Sequence, residues 1–136
     1  MVKGLLADIN TIGYVEALVA RMQAEPWADF WDALGLVLFH FEDFGLTDKS
    51  RDLEIWQTCQ SEQLILITDN RNEDDSFSLE ATIRRLNQAE SLPVFTVSDL
   101  DRFRNSRSFA EQVVESLYDY LLRIDEVRGC GRLYLP

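Results

Sequence analysis

The chain has 136 residues, 46% of them hydrophobic, and a formal net charge of −11. That length suits one domain with a real core and is short for two. So acidic a chain is a poor nonspecific binder of long nucleic acid, which draws on Lys and Arg to neutralise phosphates, and no apolar run approaches the roughly 20 residues of a membrane span.

Read in chain order, "KGLLAD" is a short buried strand stopping at Asp8, an acid that arrives too early for the apolar stretch of a signal peptide. "YVEALVARMQ" carries Val15, Leu18, Val19 and Met22 at helical spacing. Pro26 is expected to open a second helix, with Trp27, Phe30, Trp31 and Leu34 on one side and Gly35 suited to its end. "LVLFHF" reads as a second strand containing His40, the single histidine, which is a structural group on this reading. Ser50 can cap a helix running through Cys59, with Ile55, Trp56 and Cys59 facing inward. "LILIT" is a third strand, Ser78 a cap for a helix bearing Leu79, Ile83 and Leu86, and "PVFTV" a fourth strand. "SFAE", from Ser108 to Glu111, has the form of a capping box before Phe109, Val113, Leu117, Leu121 and Ile124. "RLYLP" closes the chain as a fifth strand at the sheet edge.

Short apolar strands separated by helices imply a mostly parallel sheet of about five strands inside a three-layer α/β/α sandwich, here a single domain over 1–136. "RNEDDS" and "DLDRFRNSRS" read as loops. Cys59 and Cys130 fit neither a metal spacing nor a disulfide framework, which points to a reduced, cytoplasmic setting. Trp27, Trp31 and Trp56 read as packing rather than base-stacking platforms; Tyr118, Asp119 and Tyr120 offer a face for a homodimer.

In open parallel sheets, ligands bind beyond the carboxyl ends of the strands. Asp8 ends the first strand, Glu42 and Asp43 follow the second, Asp69 ends the third and Asp99 follows the fourth, so acids gather at one edge. Hard cations such as Mg²⁺ or Mn²⁺ take oxygen ligands, and Mg²⁺ keeps several waters, so two or three carboxylates suffice. Asp8 and Asp69 are the first candidates, and Asp52 can point to the same edge from the first turn of its helix. Asp52 is equally explained as an acid at a helix N-terminus. Arg102, Arg104 and Arg107 could hold a phosphate backbone, or could form a solvated run with local ion pairs.

"LLADIN" and "SRDLEIWQTCQSEQLILITDN", with the strand–helix order around them, resemble a PIN-like domain, most nearly the short single-domain bacterial versions. The resemblance covers roughly residues 3–100. In that family an Asp ends the first strand, and a second Asp opens a helix of the form D-x-x-I-x-x-x-A leading to a strand that ends in T-x-D or T-D. The matching positions are Asp8, Asp52 and Asp69. The resemblance implies a metal-dependent ribonuclease, with RNA as substrate, often the toxin of a toxin–antitoxin pair with a protein antitoxin as partner. The chain departs from the pattern where the family commonly reads T-x-D-x-D-F. In "TDNRNEDDSF", Asn70 and Asn72 stand in the acidic slots and Asp69 is displaced by one residue. Asn10, Glu42, Asn70, Asn72 and Asp75 are secondary candidate ligands, and Glu73, Asp74 or Glu80 could also compensate. The alternative is a catalytically degenerate PIN-like module that acts by binding a protein.

Two other resemblances are thinner. A phospho-receiver domain would use Ser98 but needs a second acid at the first strand and a late lysine, and no lysine follows Lys49. "DINT" is similar to the D-x-D-x-T of haloacid-dehalogenase-type phosphatases, with Asn10 in place of the general acid.

Overall fold

The computed structural model describes residues 1–70 and 78–136. Five strands form one all-parallel sheet: β1 (Gly4–Ala7), β2 (Leu38–Phe39), β3 (Leu64–Thr68), β4 (Val94–Thr96) and β5 (Arg132–Tyr134), in the order β2-β1-β3-β4-β5. The helices are α1 (Ile12–Met22), α2 (Ala28–Leu34), α3 (Asp52–Glu62), α4 (Leu79–Leu86), α5 (Leu100–Asn105), α6 (Arg107–Leu122) and the short α7 (Ile124–Val127). The three-layer α/β/α sandwich expected from the alternation is present. No helix among the described residues is long and apolar enough to cross a membrane.

Successive strand residues point to opposite faces, and that parity divides the core in two. Leu5, Ala7, Ile65, Ile67 and Phe95 meet Leu18, Trp31, Phe103, Val113 and Leu117 from α1, α2, α5 and α6. Leu6, Leu64, Leu66 and Val94 meet Ile55, Trp56 and Cys59 of α3 and Leu79 and Ile83 of α4 on the other side. Glycine at position 4 lets β1 approach β2, since a Cβ there would collide with the Val37 carbonyl and the Phe39 ring. Gly35 ends α2 in the left-handed conformation, as its position predicts.

Several expectations need correction. Pro26 lies before α2 instead of opening it; the helix starts at Ala28 behind Trp27, whose Nε1 donates to Glu111 Oε2 at 2.6 Å. Only two residues of "LVLFHF" pair as a strand, at the edge of the sheet beside β1. His40 then leads into a 3-10 turn, Phe41–Phe44, with its backbone N–H donating to Asp43 Oδ2, and Phe41 is drawn into the smaller core. Ser50 does not cap α3: its hydroxyl accepts from Thr47 N, and Arg51 holds the cap position without a side-chain bond. The "DLDRFRNSRS" loop is helical. Asp99 caps α5, which buries Phe103 against Tyr14, and Ser106, two residues ahead of the expected Ser108, caps α6. Ser78 does cap α4 as expected, accepting from Ala81 N. Tyr118 is core, its hydroxyl donating to the Met22 carbonyl, so it offers nothing to a dimer face.

Candidate functional site

The strand order reverses between β1 and β3: from β1 the chain places β2 on one side, and β3, β4 and β5 on the other. Such a switch point leaves a crevice beyond the strand ends. A cleft of about 250 Å³ lies there, lined by Asp8, Asn10, Asp48, Asp52, Asp69 and Asn70 among others. Its three principal carboxylates therefore come from the end of β1, the start of α3 and the end of β3.

Each is held by a hydroxyl or an amide. Asp8 Oδ1 accepts from the Asn10 backbone N–H at 3.3 Å, and Oδ2 accepts from Thr68 Oγ1 at 2.5 Å. That threonine is fully buried and in turn accepts from the Asn70 backbone N–H at 2.9 Å. Asn70 Nδ2 donates to Asp52 Oδ2 at 3.4 Å. Asp69 is exposed and exchanges two bonds with Thr11: the hydroxyl donates to Asp69 Oδ1, and Asp69 N–H donates to the hydroxyl.

Parity explains this division. Asn70 continues the set Leu66, Thr68 that faces α3 and α4, and Asp69 continues the set Ile65, Ile67 that faces α1. At the end of β3, then, the Asn70 amide donates to Asp52, while Asp69 bonds to Thr11. Among the described residues, no group of three or more His, Cys, Asp or Glu side chains is placed to hold a metal ion.

Electrostatically, Asp52 is the strained member. Burial pushes its pKa up, and the charge of Asp8 adds to the shift. Hydrogen bonds from Asn70 and the Leu79 backbone, and the positive charge of Arg132, oppose that shift without cancelling it. A carboxylate whose ionisation is disfavoured by burial and by a neighbouring acid, among oxygen donors, suits a hard dication.

The remaining candidates lie elsewhere. Glu42 is exposed on the 3-10 turn and does not line the cleft. Glu80 is turned toward Arg132, whose Nε donates to it at 3.0 Å, so it does not serve the cleft. Arg102, Arg104 and Arg107 are exposed on α5 and α6 and line none of the cleft; Arg102 lies over the Phe109 ring. Asn72, Glu73, Asp74 and Asp75 lie outside the described residues. Sequence reasoning missed Thr11, Thr68 and Arg132. Their signal is weak but present: threonines terminate β3 and β4 in register, and an arginine opens an otherwise apolar last strand.

Comparison with protein-family models, with curated proteins and with solved structures returns no match to this chain.

Proposed function

We propose that the cleft binds Mg²⁺ or Mn²⁺ and that the protein hydrolyses RNA phosphodiester bonds, as its resemblance to PIN-like domains implies. The observation that carries this reading is the meeting of Asp8, Asp52 and Asp69, from three separate segments, in one cleft at the sheet's switch point. Asp8 and Asp52 would hold the ion, with the Asn70 amide beside them and Asp69 at the exposed side. A bound dication activates water and offsets charge on the phosphate. The chain's own contribution is orientation: Thr68 fixes Asp8, Asn70 restrains Asp52, and Thr11 restrains Asp69.

A second reading is favoured by the Asn70 contact. An amide where the family carries an acid lowers the charge available to an ion, which suits a catalytically silent PIN-like module that binds a protein partner, an antitoxin among them.

Calorimetric titration of the purified protein with Mn²⁺ separates the two. The enzyme reading expects saturable binding that Asp8→Asn weakens. The silent reading expects no binding by either protein, and a melting temperature that millimolar Mn²⁺ leaves alone.

A further inference from the structure

Arg132 opens β5, two strands away from β3, yet its guanidinium reaches the end of β3. It pairs with Val94 in the sheet, on the face shared by Leu66, Thr68 and Thr96. From there Nη1 donates to Thr96 Oγ1 at 2.6 Å and to the Asn70 carbonyl at 2.8 Å, and Nε donates to Glu80 Oε2 at 3.0 Å. Adjacent strands are spaced about 4.8 Å apart, so the side chain must cross β4 to touch Asn70. Only 6% of that side chain is exposed. Nη2 is buried and has no partner among the described residues. Removing a charge from water to this degree is costly, and an apolar residue of similar volume commonly serves stability as well or better. The arginine is accounted for by what it holds.

Asn70 joins three contacts in one turn. Its carbonyl meets Arg132, its N–H meets the threonine that orients Asp8, and its side-chain amide meets Asp52. We propose that Arg132 is a positioning residue for the acidic cleft: by pinning the Asn70 carbonyl it fixes the turn that sets Asp8, Asp52 and Asp69 toward a shared cation. This role rests on the metal reading above, but its structural half stands apart from it. The fork geometry matters as well as the charge, because one guanidinium meets Glu80, Thr96 and Asn70 at once, which a lysine ammonium on its single stem does not reproduce.

The test uses the full chain with Arg132→Lys, which keeps the positive charge beside Glu80. Thr96→Val, which removes one of the two acceptors of Nη1 without changing charge, is the second variant should Arg132→Lys fold poorly. Val113→Ala, in the opposite core, is a control for loss of stability without contact to the turn. Amide exchange is read at Asn70 without metal, and Mn²⁺ affinity is read by calorimetry. At matched global stability, Arg132→Lys should cut Asn70 protection about tenfold relative to Val113→Ala. Mn²⁺ affinity should fall about tenfold in the same variant, the usual scale for a group that orients metal ligands. Thr96→Val should shift both in the same direction by less. Unchanged Asn70 protection overturns the proposal, as does lost protection with Mn²⁺ affinity intact. Wild-type protein that binds no Mn²⁺ overturns the cation reading alone, and the metal-free exchange still decides whether Arg132 holds the turn.

Discussion

On one face of the sheet, Leu5, Ile65, Ile67 and Phe95 meet α1, α5 and α6 in an apolar cluster, and only Asp69, bonded to Thr11, follows it at the exposed end of β3 among the residues named for the cleft. On the other, Leu6, Leu66 and Val94 begin in the same way under α3 and α4, but the rows end in Asp8, Thr68 with Asn70, and Thr96, with Arg132 beside them. The two faces share one backbone and differ by a single step of parity. The first face can be filled by size and hydrophobicity alone. The second exchanges packing for a connected polar network at its carboxyl end, and such a network must be satisfied group by group. Substitutions in the buried cluster of the first face should therefore act on stability only, and substitutions at the end of the second on ligand binding out of proportion to stability.

The largest effect should come from Phe95→Ala on the first face. Phe95 is fully buried and packs its ring against Tyr120. Its truncation should cost about 3–5 kcal/mol of unfolding free energy in urea titrations, the range for large aromatic cores. Protein that remains folded should bind Mn²⁺ as wild type does. A change in Mn²⁺ affinity would break the separation of the two faces.

Next is Asp8→Asn, which removes one of the two carboxylates proposed to hold the ion. Mn²⁺ binding should weaken by at least about tenfold, because few charged ligands remain. In thermal melts, a metal-induced rise should be confined to wild type. Equal melts of both proteins with and without Mn²⁺ would leave these acids as ordinary surface charge.

Ser106→Ala, at the cap of α6 on the first face, should cost about 1 kcal/mol, and Ser108→Ala at the site expected from the sequence should cost little. The pair also shows why caps were only partly legible. "SFAE" has the right form at Ser108, but Ser106 Oγ accepts from Phe109 N and begins the helix earlier. The local pattern pointed to Ser108 alone, whereas the cap is Ser106, between Phe103 and Phe109, which share one core cluster. The alternation of strands and helices was legible because it repeats along the whole chain. The short α5 was not, because Leu100 and Phe103 alone make too brief a periodicity. Asp8, Asp52 and Asp69 could be placed at one edge because each adjoins a readable element. Arg132 could not, because its contact depends on β5 lying beyond β4 and β3, and no local pattern encodes that order.

The smallest and most diagnostic effect is that of Asp52→Asn. Asp52 is half-buried, and its folded-state pKa is raised, first by burial and then by the charge of Asp8. A raised carboxyl pKa means that the folded protein holds this proton more tightly than the unfolded chain does. Stability from this group is therefore greatest below the ordinary carboxylate range of about 3.9 and declines as pH climbs to the raised value. The decline is complete above that value, so at pH 7 the ionised Asp52 is a standing cost to the metal-free fold. Asparagine cannot ionise, and its side-chain oxygen can still accept from Asn70 Nδ2 and the Leu79 backbone. The variant should thus match wild type in acid and exceed it at pH 7 by less than about 1 kcal/mol, since solvent screens a group this exposed. Urea titrations at pH 3 and pH 7 give both values. Millimolar Mn²⁺ should reverse the order at pH 7, because only wild type then gains binding energy. If Asp52→Asn is instead less stable than wild type at pH 7 without metal, its carboxylate is an ordinary helix N-terminal acid. The polar end of the second face would then be as self-sufficient as the apolar face opposite.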